Sequence, residues 1–156
     1  MENKTLDTLN ATKQSAWDSN EIERFLVAQK TPMRIAVLDH DDFPMICSVW
    51  HHYHEQKIYA VAHKNSKLIK KLTAHEQCAF EIAPNEPPYK GVRGQAIAHI
   101  SSQHCDEKLN HLLEKFLGSG YQQLKNFLQS RSDDERVIEL QIKKVTAWDF
   151  SQRMSD

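Results

Sequence analysis

The chain has 156 residues, with 20 Lys and Arg against 21 Asp and Glu, and 40% of its residues are hydrophobic. This length suits one globular domain whose core needs neither a disulfide nor a metal. The near-zero net charge excludes the basic surface of a dedicated nucleic-acid-binding protein, and no apolar run approaches the roughly 20 residues that span a bilayer.

The N-terminal residues lack the apolar stretch of a signal peptide, and the three cysteines cannot all pair with one another. We therefore expect reduced thiols and a cytoplasmic protein without nucleic-acid or membrane partners.

The first part of the chain predicts an arm followed by a helix. Residues 1–18 are polar and lack sustained periodicity, so we expect a flexible N-terminal arm and a single domain over 19–156. Asn20 and Glu23 have the spacing of a capping box, which predicts a helix over Glu21–Gln29.

From Arg34 onward the hydrophobic pattern has a period of two, which predicts strands. Six are predicted, at Arg34–Leu38, Met45–His52, Lys57–Ala62, Gln77–Ile82, Arg93–Ile100 and Val137–Trp148. Gly94 inside the fifth strand predicts a bulge or a close backbone approach. Six strands without βαβ alternation favour a mainly β fold, a closed or nearly closed antiparallel barrel with peripheral helices.

The predicted helices lie between these strands. One short helix, Ser66–Leu72, separates the third strand from the fourth, and two helical patterns divided by Gly118-Ser119-Gly120 precede the last strand.

Several catalytic motifs are absent from the sequence. There is no Gly-x-Ser-x-Gly elbow, and the four glycines form neither a P-loop nor a Gly-x-Gly-x-x-Gly fingerprint. His52 and His54 would share one face of a strand, but a metal would need a third ligand from elsewhere, so we predict no metal. The cysteines that fall in strands are expected to be small hydrophobic residues rather than nucleophiles.

The segment that joins the third strand to the short helix has the composition of an anion site. It contains a hydroxyl group and four ammonium groups in residues 62–71, namely those of Ser66, Lys64, Lys67, Lys70 and Lys71. The first turn of a helix supplies free backbone N–H groups and a partial positive charge, so this composition predicts phosphate binding. The alternative is an ordinary solvated, lysine-rich helix with a serine cap.

Seven short phrases occur in a fixed order between Ile22 and Met154: Arg34–Leu38, Asp42–Pro44, Val49-Trp50, Lys57–Tyr59, Ser66-Lys67, Pro87–Gly94 and Trp148–Met154. Their order and spacing resemble the pyridoxamine 5'-phosphate oxidase-like family, the FMN-binding split β-barrels. The resemblance implies a six-stranded antiparallel split barrel that forms a homodimer, with FMN bound at the subunit interface. The chain is shorter than pyridoxine-phosphate oxidase itself and lacks the Arg and His pair that holds that enzyme's substrate.

The resemblance also implies which residues bind the cofactor. One strand would run along the isoalloxazine ring, and it contributes Ile46, Cys47, Ser48 and Val49. The ribityl phosphate would be held by Ala62, His63, Ser66 and Lys67. The family's phosphate-binding lysine falls on Leu68 here, so Lys70 and Lys71 are further candidates, and Arg93 and Trp148 of the second chain would close the pocket.

The function implied by the resemblance is that of a flavin-dependent oxidoreductase with an unidentified substrate. No catalytic side chain is predicted, because the flavin supplies the redox chemistry. Two alternatives stay open. One is a module that binds flavin or haem without turnover, with His63 or the run His51–His54 as haem ligands; the other is a deazaflavin-dependent reductase.

Overall fold

The computed structural model describes residues 9–155 and shows a mainly β protein with peripheral helices. The strands are β1 (Met33–Leu38), β2 (Pro44–Val49), β3 (His52–His54), β4 (Lys57–His63), β5 (Gln77–Ile82), β6 (Lys90–Ser101) and β7 (Glu135–Asp149). The helices are α1 (Ser19–Ala28), α2 (Lys67–Ala74), α3 (Cys105–Leu117) and α4 (Gln122–Ser130). None of these helices is long and apolar enough to cross a membrane.

The strands form one curled sheet in the order β2-β1-β5-β6-β7-β4-β3, and every neighbouring pair is antiparallel. The predicted antiparallel split barrel is therefore confirmed. The two edge strands, β2 and β3, are consecutive in the chain, so the sheet curls until its edges are joined by the short link between them.

The predicted number of strands was wrong. Met45–His52 was predicted as one strand, but β2 ends at Val49 and β3 begins at His52, which gives seven strands. Trp50 and His51 lie between them, because here the chain leaves one edge of the sheet and crosses to the other. The hydrophobic pattern continues through the crossing because both side chains pack against Phe116 of α3.

Alternation along the strands builds the core, as the sequence predicts. In β7, Ile138, Leu140 and Ile142 are all buried. One apolar face of α2 closes the same core, because Leu68, Ile69 and Leu72 are also buried. Burial of this face explains why α2 lies across the interior of the sheet. The lysines of α2 lie on its other faces.

The N-terminal residues that the structure describes lie along β7. The backbone N–H of Thr12 donates to the carbonyl of Val145 at 2.9 Å, and that of Ala16 donates to Ala147 at 2.9 Å. Residues 10–16 are therefore held on the sheet, whereas residues 1–8 of the predicted arm lie outside the described residues.

The first helix begins earlier than predicted. Asp18, not Asn20, is the N-cap, since its side chain accepts the Glu21 N–H at 2.8 Å and Glu21 accepts the Asp18 N–H at 3.0 Å. This reciprocal pair satisfies two amide groups that would otherwise have no acceptor.

Gly94 confirms the predicted close approach. A Cβ atom at this position would lie 2.4 Å from the carbonyl oxygen of Lys144 and 2.7 Å from the ring of Phe80. The predicted bulge lies beside it, where the register with β7 shifts between Gln95 and Ala96.

We expect Gly94→Ala to lower the free energy of unfolding by about 1–3 kcal/mol, because the added methyl group meets backbone that cannot move aside. Urea denaturation measures this change. Gly120→Ala is the matched control, since the nearest atom to its Cβ would be 3.8 Å away. Equal stability of the two variants would contradict the proposed steric cause.

Candidate functional site

The junction between β4 and α2 is the segment for which the sequence predicts an anion site. Ser66 is the N-cap of α2, and its Oγ accepts the backbone N–H of Ile69 at 3.2 Å. The amides of Lys67 and Leu68, in the first turn, have no acceptor within the helix. They and the helix dipole are free to act on a negative group placed at this end.

His63 ends β4 directly before this helix. Its Nδ1 atom accepts the backbone N–H of Asn65 at 3.1 Å. In the neutral ring the proton is then on Nε2, which makes that atom a hydrogen-bond donor. His63 thus adds a donor suited to an anionic oxygen.

The lysines of α2 are not all available to a ligand. Asp39, in the loop between β1 and β2, binds the ammonium groups of Lys67 at 2.6 Å and Lys71 at 2.7 Å. These two partners hold the pKa of the Asp39 carboxyl far below its usual range. Lys70 is exposed, and within residues 9–155 it forms no ion pair; Lys64 is bound to Asp134 at 2.7 Å.

Four of the predicted site residues meet around one cavity of about 280 Å³, namely Ser48, Val49, Ala62 and His63. Helix α3 covers it with Leu109 and Leu112, and Arg131 and Glu135 complete its wall after α4. We call this the phosphate-sized cavity. It brings the end of β2 beside the end of β4, although these strands are not paired in the sheet.

A second cavity of about 860 Å³ lies on the outer face of β1, β2, β5 and β6, and it contains the predicted residues Ile46 and Arg93. Arg34, Lys144 and Glu81 also line it. We call this the large cavity. Ile46 and Ser48 are two residues apart on β2 and therefore point to the same face, so one continuous strand surface links the two cavities.

The other predicted residues lie beside the large cavity or pack against the core. The Arg93 guanidinium lies 5.6 Å from the ring centre of Trp148, which places that aromatic ring beside the large cavity. Cys47 alternates with its neighbours on β2 and packs against the core, where burial raises the pKa of its thiol. Cys47 lines neither of the two cavities.

The histidines between β2 and β4 do not form a metal site. His51 is fully buried, its Nε2 is 3.0 Å from the carbonyl oxygen of Thr31, and burial lowers its pKa to about 3. His52 and His54 share a face as predicted, with ring centres 6.1 Å apart. Within residues 9–155 no three side chains are placed to bind a metal ion.

Sequence reasoning missed three charged residues of the site, Asp39, Arg131 and Glu135. The spacing of Lys67 and Lys71 predicts that they share one face of a helix, and so one partner. That this partner is Asp39, 28 residues before Lys67, depends on the packing of α2 against the β1–β2 loop. No sequence pattern identifies Arg131.

No protein-family model and no curated protein matches the chain in sequence. A conserved hypothetical protein from Mycobacterium tuberculosis superposes with a TM-score of 0.78 at 13% identity, covering 94% of both chains.

Two further solved structures have the same fold. An F420 reductase has a TM-score of 0.66 at 11% identity over 78% of this chain and 93% of that one. A candidate pyridoxamine 5'-phosphate oxidase from Listeria innocua has a TM-score of 0.62 at 12% identity over 85% and 97%. The chain therefore shares its split β-barrel fold with these proteins.

We expect Asp39→Asn to lower the stability of the protein at pH 7, because it removes the carboxylate that Lys67 and Lys71 share. The folded-state pKa of Asp39 is depressed, so its contribution is complete above the unfolded pKa of 3.8 and declines as the pH falls further. The difference between variant and wild type should shrink below that pH.

Urea denaturation at a series of pH values measures this dependence. Asp41→Asn is the control, because Asp41 is an exposed residue of the same loop that forms no ion pair within residues 9–155. The assigned role of Asp39 would be incorrect if both substitutions had the same effect at pH 7.

Proposed function

We propose that this protein binds a flavin nucleotide, FMN, as a homodimer and acts as a flavin-dependent oxidoreductase. The observation that carries the proposal is the outer face of β2, which runs from the large cavity at Ile46 to the phosphate-sized cavity at Ser48. A large space suited to a flat ring is thereby joined to a small one with anion-binding donors.

The small end suits a terminal phosphate. His63, whose Nε2–H is a donor, lines this cavity, and the first turn of α2 begins four residues after His63 in the chain. Haem ligation by His63 is less well supported, because an iron ligand must offer a nitrogen lone pair, whereas Nδ1 already accepts a hydrogen bond. The haem storage protein HutZ from Vibrio cholerae nevertheless shares the fold.

The large end suits an isoalloxazine ring. When bound, this ring supplies the hydride and electron chemistry of a flavoenzyme. Among the described residues, Arg34, Arg93 and Lys144 place positive charge around the cavity, and Glu81 places one negative charge there. Such a surplus favours a ring that becomes negatively charged on reduction.

The same outer face supports the proposed homodimer. Large apolar side chains are exposed along its edge, with Phe43 73% and Ile46 69% exposed and Leu38 beside them. A second copy of the chain packed here would cover these side chains. It would also close the large cavity, which is otherwise open along β1 and β2.

We expect the purified protein to quench the fluorescence of added FMN and to lose the oxidised flavin absorbance when a nicotinamide cofactor is supplied. Ser48→Tyr should weaken FMN binding about tenfold or more, because the introduced tyrosine ring would fill the surface between the cavities. Gln141→Tyr, at an exposed position on β7, is the control.

Three outcomes would contradict this proposal: no uptake of FMN by wild type, an equal effect of the two tyrosine variants, or extraction of a different native ligand. Mass spectrometry of the extracted ligand separates FMN from haem and from a deazaflavin.

We expect Phe43→Glu and Ile46→Glu to convert the dimer to a monomer, because each places a charge at the apolar edge of the outer face. Sedimentation velocity measures the change. Val27→Glu on α1 is the control, since Val27 is also 59% exposed but lies away from this face. A monomeric wild-type protein, or a dimer that all three variants preserve, would show that this surface is not the interface.

A further inference from the structure

The phosphate-sized cavity contains one cation that sequence reasoning did not assign. Arg131 follows α4 and lines the cavity together with His63 and Ser48. The lysines of residues 64–71 do not line this cavity, and three of them are bound to carboxylates, Lys67 and Lys71 to Asp39 and Lys64 to Asp134. Leu68 does not line the cavity either, and its side chain is buried in the core.

Arg131 is held in place by two contacts. Its guanidinium carbon lies 5.2 Å from the ring centre of Phe127, one turn earlier in α4. Its Nε atom is 2.8 Å from Oε1 of Glu135, a carboxylate whose side chain is almost fully buried. Glu135 is the β7 residue opposite His63 in the β4–β7 pair, so both charged groups are fixed relative to the end of β4.

The contact with Glu135 leaves Arg131 able to bind a second anion. The two groups form a close ion pair, but the Nε–H is not aligned for a hydrogen bond. The remaining guanidinium N–H groups form no hydrogen bond with other residues of the described range 9–155. A planar guanidinium with free donors at the wall of a small cavity is suited to two oxygens of one phosphate.

We infer that Arg131, positioned by Phe127 and Glu135, is the residue that recognises the terminal phosphate of the ligand and so selects FMN over riboflavin. This inference rests on the proposed flavin binding and adds a specificity-determining residue to it. Glu135 has a positioning role, because its ion pair with Arg131 fixes the guanidinium at the cavity wall before the ligand enters.

The test compares the affinities of FMN and riboflavin, measured by quenching of flavin fluorescence. The two ligands differ only in the phosphate. In wild type we expect FMN to bind more tightly than riboflavin. Arg131→Ala should weaken FMN binding by about tenfold to a hundredfold, the loss typical of a charge-assisted hydrogen-bonded pair, and leave riboflavin binding unchanged.

Arg131→Lys should restore part of the FMN affinity, since it returns the charge but not the paired donors. Arg136→Ala is the matched control, because Arg136 lies nearby but donates to the carbonyls of Asp133 and Glu135 and does not line the cavity. Arg136→Ala should leave the ratio of the FMN and riboflavin affinities unchanged. Unchanged riboflavin affinity in Arg131→Ala also shows that the variant is folded.

The outcomes separate this inference from the proposed function. If wild type binds neither flavin, the proposed function fails and the inference fails with it. If wild type binds FMN and Arg131→Ala keeps the same preference for FMN, only the assignment of Arg131 is overturned. An equal loss of both flavins in Arg131→Ala would also overturn it, because Arg131 would then support the cavity rather than contact the phosphate.

Discussion

The candidate site depends on the crossing of the chain from β2 to β3. At Trp50 and His51 the backbone leaves one edge of the sheet and reaches the other, and His51 is fully buried at this point. The Lys115 ammonium of α3 donates to the carbonyls of Leu26 at 3.2 Å and His51 at 3.3 Å, so it ties the crossing to α1. Burial lowers the pKa of this lysine to about 8. Because the crossing is fixed, the end of β2 faces the end of β4.

Ion pairs within the protein determine which cationic side chains remain available to bind a ligand. Asp39 occupies two lysines of α2, so these side chains stabilise the β1–β2 loop. Glu135 pairs with Arg131 but leaves most of its donors free. A count of positive residues near the helix start would therefore overestimate the charge available to a phosphate. Within residues 9–155 the donors that remain are backbone amides, the Lys70 ammonium, the His63 imidazole and the unpaired N–H groups of the Arg131 guanidinium.

Much of the architecture follows from local pattern. The alternation in β7, the glycine separator between α3 and α4, and the close approach at Gly94 are all predictable, because each depends on residues near in sequence or on a strict steric requirement. The strand boundary at Trp50 is not predictable in this way. Periodicity records only that a side chain is buried, and at the crossing the burial comes from Phe116 of a helix far along the chain.

Short-range periodicity and capping predicted the fold class and the helix start at Ser66, and the family resemblance indicated the β2 residues Ile46, Ser48 and Val49 that line the two cavities. The binding of Lys67 and Lys71 to Asp39 and the position of Arg131 at the cavity wall depend on the tertiary structure. The physical reason is that ion pairs form between side chains brought together by folding. Local pattern gives the direction of a side chain but not the identity of the group it meets.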